Sequence, residues 1–303
     1  MKENTLLIIE DNCVINCDCD IEGRIVIPHG ITGIADKAFM FCTKLKEVHF
    51  PETLQSIGMA AFHGCGLETL TIPNDCTYIA ESAFSCCVHL KDVTLAKELE
   101  LICGGLFCGC NHLESITIPD SVRIIRETAF AGCKNLMRVK MPSSLLQIEA
   151  MAFEDCHSLN ALIIPDGCRH IEFAAFRNCK SLKRLALPDS ITDERGSEEC
   201  FNGCTSLISA SLSKGMLTIP SGFLQDCHSL RTVFIPNSIR RIDAEAFSND
   251  INLETLDIPI SVEEVEDKAF DGCIALSHVR MSRNTRVART AFSNCPIIKV
   301  EYY

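Results

Sequence analysis

AFAGCKNLMRVKMP, residues 129–142, is one copy of a motif that returns along almost the whole 303-residue chain. This copy carries Phe130, then Cys133 and Leu136, and it ends at Pro142. Neighbouring copies lie about 23 residues away on either side. A period of this size is typical of a solenoid, because one repeat alone leaves its apolar side uncovered and the next repeat buries it.

Phenylalanine is the best marker of the period. Steps of 22 to 25 residues separate twelve phenylalanines, which we take as one per repeat: Phe39, Phe62, Phe84, Phe107, Phe130, Phe153, Phe176, Phe201, Phe223, Phe247, Phe270 and Phe292. An Ile or Val usually lies five residues before the Phe, and a Cys follows it by three residues in ten of the twelve repeats. The pattern Leu-x-x-Val/Ile/Leu-x-Ile/Leu/Met-Pro completes the unit.

Within each repeat the pattern predicts a strand, a turn and a return segment. In the fourth repeat Leu113, Ile116 and Ile118 alternate with polar residues, which predicts a short strand paired in parallel with its counterparts. The Pro119-Asp120-Ser121 sequence that follows predicts a turn. The Ile-x4-Phe segment is expected to contain a short extended piece and one helical or 3₁₀ turn. The predicted fold class is therefore a β-rich α/β solenoid of about twelve repeats.

Two domain-level predictions follow from where the motif begins and ends. Residues 1–24 lie outside the repeat and predict a capping hairpin, whereas residues 25–303 predict one continuous solenoid domain. The last repeat, AFSNCPIIKVEYY, stops on its own strand. Since terminal repeats need a polar outer face, we expect Tyr302 and Tyr303, a partner or further chain to cover this end.

The repeat becomes irregular near residues 190–227. Gly196 stands where an Ile is expected, and the charged stretch DERGSEE predicts an exposed loop from about Asp193 to Glu199. In the next repeat Pro220 precedes the Phe223 segment, and Cys227 follows that Phe by four residues instead of three. We therefore expect a dent or bend in this region.

Composition and charge exclude several classes of protein. Hydrophobic residues make up 47% of the chain and charged residues 22%, which is typical of a folded protein. No apolar run approaches the ~18 residues that cross a bilayer, and the N-terminal sequence MKENTLLIIEDNC does not resemble a signal peptide. The formal net charge of -12 argues against general affinity for nucleic acid, since phosphates are bound by an excess of Lys and Arg.

The twenty cysteines are explained mainly by the repeat. Ten occupy one repeat position and predict a column of small, buried free thiols, although the spacing of stacked rungs also permits disulfides: Cys42, Cys65, Cys87, Cys110, Cys133, Cys156, Cys179, Cys204, Cys273 and Cys295. Cys13, Cys17 and Cys19 form a C-x3-C-x-C cluster that invites a zinc interpretation. The cluster lacks a second pair or a nearby His, so we predict no metal site.

No catalytic motif is recognisable in the chain. The sequence contains no G-x-S-x-G elbow, P-loop, G-x-G-x-x-G turn or H-E-x-x-H helix. Cys156-His157 and Cys227-His228 place a thiol next to an imidazole. In the predicted repeat each Cys points inward and each His lies on a loop, so neither pair can act as nucleophile and base. We therefore predict neither an enzyme nor a cofactor.

The pattern Ile-x4-Phe-x2-Cys-x2-Leu-x2-Val-x-Ile-Pro closely resembles the BspA-like leucine-rich repeats of bacteria and some protists. The resemblance covers roughly residues 25–303. It implies a right-handed, curved solenoid whose parallel sheet lines the concave face. Similar proteins are often secreted or attached to the surface, and some are thought to mediate adhesion to host proteins or other cells.

On such a face, the residues two and four positions after each repeat Leu point outward. The second to fourth repeats then offer a Thr- and Ser-rich stretch. The fifth to ninth offer a mixed basic and apolar patch, which we predict as the ligand-binding site: Arg138, Lys140, Ile163, Arg184 and Phe234. Exposed apolar side chains beside Arg are typical of protein-binding hot spots. The alternative is that these are ordinary solvated strand positions.

The sequence thus favours a non-enzymatic recognition module that binds a protein, or a glycan, in adhesion to host or neighbouring cells. The alternative is an intracellular protein-interaction scaffold. The lack of a recognisable signal peptide favours the cytoplasm, whereas the family resemblance favours the cell surface or secretion. Neither interpretation includes nucleic acid or a membrane span.

Overall fold

The structure is a computed structural model that describes residues 7–192 and 196–303. Over these residues the chain forms strands, turns and bends, and no helix. It divides into two compact units, Met1–Leu145 and Leu146–Tyr303. Each unit is built from stacked turns of the solenoid, about twelve in all, and each turn returns to the same two sets of strands.

The first set, the long strands, comes from the Leu-x-x-Val-x-Ile pattern. These strands are β3 Gly23–Val26, β5 Leu45–His49, β7 Thr69–Thr71, β9 Asp92–Thr94, β11 Ser115–Thr117, β13 Arg138–Lys140, β16 Arg184–Ala186, β17 Ser209–Ser211, β19 Thr232–Phe234, β21 Thr255–Asp257, β23 His278–Met281 and β25 Lys299–Tyr302. The repeat between β13 and β16 keeps only a single bridge at Ala161.

The second set, the short strands, lies just before the Phe segment. These strands are β4 Gly33–Ile34, β6 Ser56–Ile57, β8 Tyr78–Ile79, β10 Leu101–Ile102, β12 Ile124–Ile125, β14 Gln147–Ile148, β15 His170–Ile171, β18 Thr218–Ile219, β20 Arg241–Ile242, β22 Glu264–Val265 and β24 Arg286–Val287.

A hairpin precedes the first repeat. Strand β1, Leu7–Glu10, pairs antiparallel with β2, Cys13–Cys17. The turn between them places Asp11 and Asn12 at φ 46° and 59°, a left-handed conformation that Asp and Asn tolerate better than most residues. Strand β2 then pairs in parallel with β4, so the hairpin continues the short-strand set.

The parallel strands predicted from the alternating pattern are confirmed. Strands β11 and β13 pair in parallel with Ser115 opposite Arg138 and Thr117 opposite Lys140. Ile116, between the two exposed residues of β11, is 4% exposed. Since successive side chains of a strand point to opposite faces, most repeats bury or half-bury the central residue and turn its two neighbours towards solvent.

The prediction of a helical turn, and with it the α/β label, is wrong. The residues two before and two after each repeat Phe have positive φ in nearly every repeat, as Thr128 at 55° and Gly132 at 71° do around Phe130. Left-handed residues at this spacing interrupt a right-handed helix. Backbone N–H groups therefore bond to the adjacent turn of the solenoid, as the N–H of Phe107 does to the carbonyl of Ala129 at 2.8 Å.

Stacked phenylalanines and cysteine thiols fill the interior of each unit. Phe107 stacks on Phe130 with ring centroids 5.6 Å apart, and Phe153 stacks on Phe176 at 5.2 Å. Stacked aromatic pairs add about 0.5–1.5 kcal/mol to the gain from burial. Most column thiols donate to the carbonyl of the preceding repeat's Phe, as Cys133 does to Phe107 at 3.2 Å.

The register of the ninth repeat corrects the sequence prediction. The N–H of Phe201 bonds to the carbonyl of Phe223, and the N–H of Leu224 bonds to that of Ala246. Phe223 therefore occupies the position that Ala holds in other repeats, and Leu224 takes the place of the repeat Phe. Cys227 then lies three residues after Leu224, in the regular column position. The dent was expected because the sequence pattern assigned Phe223 to the position that Leu224 occupies.

Among its described residues, the irregular eighth repeat shows no short strand. Residues 193–195 of the predicted loop lie outside the described residues, whereas Gly196 is exposed and Ser197 is only 5% exposed. The Ser197 hydroxyl donates to the carbonyl of Ile171 at 2.8 Å. A side chain thus replaces the backbone N–H that would satisfy this carbonyl in a regular repeat, since a buried acceptor without a partner is costly.

Candidate binding surface

The outward residues of the long strands form a surface in each unit, which we call the long-strand face. All five predicted site residues lie on it and are exposed. Arg138 and Lys140 belong to β13 of the first unit. Ile163, Arg184 and Phe234 belong to the second unit, where Ile163 is 82% and Phe234 57% exposed. The two groups therefore belong to different units and are described separately.

In the second unit the strand register fixes the spacing of the predicted residues. Arg184 pairs with Ser209, and Ser211 pairs with Phe234. Arg184 and Phe234 are thus two strands and two residues apart, which corresponds to about 12 Å at ~4.8 Å per strand and ~3.3 Å per residue. The small Ser side chains between them leave this area open.

A cleft of about 410 Å³ opens beside Phe234 on the long-strand face. Its lining combines apolar and charged side chains: Phe234, Ile260, Asp257, Arg280 and Tyr303. Ile260 is 67% and Tyr303 48% exposed. Neither Ile163 nor Arg184 lines the cleft, so the structure brings only Phe234 of the predicted residues into it.

One wall of the cleft is an ion pair covered by an aromatic ring. Arg280 makes two hydrogen bonds to Asp257, from Nη2 at 2.5 Å and from Nε at 3.2 Å. The guanidinium lies 4.7 Å from the centre of the Tyr303 ring, and the Tyr303 hydroxyl donates to the same carboxylate. The hydrogen bond from Arg280 lowers the pKa of Asp257 below its ordinary value. The wall is therefore close to neutral and held in one geometry.

Two of the cleft residues were not identified from the sequence, although the repeat pattern singles out one of them. Ile260 follows Pro259 at a turn position where the other repeats mostly have Asp, Asn, Glu or Ser, so an exposed apolar residue there departs from the pattern. Tyr303 reaches Asp257 across 46 residues of sequence. That contact depends on the stacking of two repeats and has no local signature.

A second and larger opening, of about 880 Å³, lies over the short strands of the first unit. Its lining includes Met59, Tyr78 and Arg126 together with the carboxylates of Glu81, Glu98 and Glu100. None of the predicted site residues belongs to it. The cleft beside Phe234 is the better candidate, because its exposed aromatic and aliphatic side chains are framed by an ordered ion pair.

In the described part of the chain, the thiols of the two Cys-His pairs are buried and the imidazoles lie beside carboxylates. Within residues 7–192 and 196–303, no group of three or more His, Cys, Asp or Glu side chains could hold a metal ion. Cys156 and Cys227 are fully buried, and the Cys227 thiol donates inward to the carbonyl of Phe201. His157 and His228 instead face Asp155 and Asp226.

The same part of the chain contains no helix long and apolar enough to span a bilayer.

Solved structures with the same fold come from several bacteria. The chain is 26% identical to a leucine-rich repeat protein from Bacteroides ovatus, with a TM-score of 0.82 over 96% of this chain and 88% of that chain. It is 23% identical to a leucine-rich cell surface protein from Faecalibacterium prausnitzii, with a TM-score of 0.60 over 98% and 92%. The pneumococcal vaccine antigen PcpA is 19% identical, with a TM-score of 0.51 over 92% and 68%.

No curated protein sequence matches the chain. The family of BspA-type leucine-rich repeat regions does match, in six copies, over residues 7–137, 102–197 and 192–299. These matches cover nearly the whole solenoid, and they agree with the strand register and the structural neighbours. The chain therefore belongs to the BspA-type leucine-rich repeat family.

Proposed function

We propose that the protein is a non-enzymatic binding protein that captures a polypeptide ligand in the cleft beside Phe234. Leucine-rich repeat proteins generally serve protein interaction and are generally non-enzymatic. The observation that carries the proposal is the cleft itself, where Phe234 and Ile260 are exposed beside an Asp257–Arg280 pair covered by Tyr303. Exposed aromatic and aliphatic groups framed by polar groups are typical of interface anchors.

The charges around the cleft define the partner's chemistry. Asp257 already neutralises Arg280, whereas Arg184 forms no ion pair with any described residue and lies about 12 Å from Phe234. A suitable ligand therefore carries an apolar side chain that enters the cleft and a carboxylate, three or four extended residues away, that reaches Arg184. The long-strand face of the second unit thus fits an acidic and apolar peptide segment better than a glycan.

Selection from a displayed peptide library on the intact protein tests this proposal. We expect enriched peptides to combine a large apolar residue with Asp or Glu. Replacing Phe234 with Ala should weaken their binding by at least about tenfold, since interface anchors contribute about 2 kcal/mol or more. Arg184→Glu should weaken acidic peptides specifically.

Thr94→Ala provides the matched control, because Thr94 is an exposed long-strand position in the first unit. Equal binding by the wild type, Phe234→Ala and Arg184→Glu would disprove the proposed site.

Two biological settings fit this binding. The first is adhesion to a host protein or a neighbouring cell, and the second is an intracellular scaffold. Fractionation of the native cells combined with thiol counting separates them. Surface exposure with oxidised cysteines supports adhesion, and a cytosolic pool with free thiols supports a scaffold.

A further inference from the structure

The thiol of Cys42 departs from the arrangement of the cysteine column. Nine cysteines of the column donate to the carbonyl of the residue in the Phe position one repeat earlier, at 2.9 to 3.5 Å: Cys65, Cys87, Cys110, Cys133, Cys179, Cys204, Cys227, Cys273 and Cys295. No repeat precedes Cys42, so no such carbonyl lies below it. Its Sγ instead lies 3.4 Å from the Sγ of Cys17, at the end of strand β2.

A third thiol connects this pair to solvent. Cys42 is 0% and Cys17 8% exposed, whereas Cys19, two residues further along the hairpin, is exposed. Cys19 lies in the turn directly after β2, which brings its backbone next to the buried pair. An accessible thiol thus adjoins a buried pair whose sulfurs are already in contact.

We propose that Cys17 and Cys42 form an intramolecular disulfide by exchange with a low-molecular-weight disulfide, with Cys19 as the entry thiol. The thiolate of Cys19 attacks one sulfur of glutathione disulfide, which releases one glutathione thiolate. The thiolate of Cys42 attacks the Cys19 sulfur of this mixed disulfide and releases the second glutathione. Cys17 then attacks the Cys42 sulfur, which forms the Cys17–Cys42 bond and returns Cys19 to a thiol.

In the net reaction two protein thiols are oxidised and one glutathione disulfide is reduced to two glutathiones.

Forming the Cys17–Cys42 bond requires only a small movement of the two sulfur atoms. The Sγ atoms must approach from 3.4 Å to about 2.05 Å, which side-chain rotation at the end of the hairpin can provide. The resulting bond ties residues 25 positions apart and fastens the hairpin to the first repeat.

The rest of the column is protected from the same chemistry. Most of those thiols are fully buried and donate to carbonyls, so a dissolved disulfide does not reach them. Thiol–disulfide exchange requires access to the sulfur, so these thiols react slowly. Selectivity for the first repeat therefore follows from its position at the end of the column.

Incubation of the folded protein with glutathione disulfide, alkylation of the remaining thiols and peptide mass mapping test the proposal. We expect a peptide pair that links Cys17 to Cys42 and has lost two hydrogen atoms. Cys19→Ser should slow the appearance of this pair severalfold while leaving the product the same. Cys86→Ser is the matched control, because it removes an exposed thiol of the same unit and should leave the rate unchanged.

Substitutions in the pair extend the test without relying on one variant that could fail to fold. Cys17→Ala removes a thiol near the surface and should abolish the Cys17–Cys42 product, while Cys42→Ala should abolish every cross-link to the hairpin. The oxidised wild type should also resist proteolysis between the hairpin and the first repeat more than the reduced protein does. The proposal would be overturned if Cys19 reacted completely with glutathione disulfide while Cys17 and Cys42 both remained free thiols and were alkylated.

Discussion

Asp250 is the residue that departs most from its neighbours in the interior. It occupies the column position that Cys holds in the adjacent repeats and is 0% exposed. Its Oδ1 accepts the N–H of Cys227 at 2.9 Å, whereas Oδ2 has no hydrogen-bond partner among the described residues. Burial raises the pKa of Asp250 well above its ordinary value. Burial therefore favours the protonated form of this carboxyl, which stands where the adjacent repeats have a thiol.

This carboxyl makes the stability of the second unit depend on pH. Since the pKa is raised in the folded state and near 3.9 in the unfolded state, the folded protein binds more protons above about pH 4. The free energy of unfolding should therefore fall as the pH rises from about 4 towards the raised pKa. We expect Asp250→Cys to stabilise the protein by about 1–3 kcal/mol at pH 7, because it removes the unpaired Oδ2.

Urea denaturation of both proteins at pH 4 and pH 7 measures the effect. The gain from Asp250→Cys should shrink at pH 4, where the wild-type carboxyl is protonated in the folded state and about half protonated in the unfolded state. Asp166→Asn, which changes an exposed carboxylate of the same unit, should show no such difference. A gain that is the same at both pH values would show that packing, and not the carboxyl, limits stability here.

At the scale of the element, the turn around each Phe shows where the sequence prediction failed. The strands were predictable, because the alternation recurs along the chain and a terminal Pro follows it in most repeats. The helical turn was not, because the apolar spacing of Ile-x4-Phe does not reveal backbone handedness. The signal lay two residues after the Phe, where Gly64, Gly109, Gly132, Asp155 and Asn178 share a preference for positive φ.

Gly132 offers a test of this turn that is free of steric clash. Its φ is 71°, and a Cβ added there would meet only atoms of Gly109 at 3.8 Å. Gly132→Ala should therefore destabilise the first unit by about 1 kcal/mol through backbone conformation alone. Gly132→Asn should cost less, since Asn178 and Asn249 hold the same position in other repeats. Thermal unfolding compares the two; equal costs would mean that the strain is steric instead.

The binding face was predictable only in part. Phe234 stood out because a large aromatic replaces the small polar residues common in its row, and the structure leaves it 57% exposed. The grouping with Arg138 and Lys140 depended on sequence order alone, and the structure places those two residues in the other unit. Asp257 and Arg280 each lie four positions after a repeat Leu, so the pattern places both on the face, but their pairing required the register of β21 with β23.

For the whole molecule, net charge competes with ion pairing. The chain has 40 acidic and 28 basic residues, which leaves a formal charge of -12. Ion pairs between repeats, such as Lys214 with Asp189 at 2.8 Å, are exposed and stabilise the protein little. The excess of carboxylates repels itself over the whole surface. Salt screens both effects, so the direction in which stability changes with added salt shows which one dominates.

We expect added salt to stabilise the protein at neutral pH. Raising the ionic strength from about 0.01 to 0.15 M shortens the screening length from ~30 to ~8 Å, which removes repulsion between distant carboxylates more than attraction between paired groups. The Tm at pH 7 should therefore rise with NaCl. At pH 5.2, the calculated pI, the net repulsion vanishes and the rise should disappear. A Tm that falls with salt at pH 7 would show instead that ion pairs between repeats outweigh the excess charge, so calorimetry at the two pH values separates the two effects.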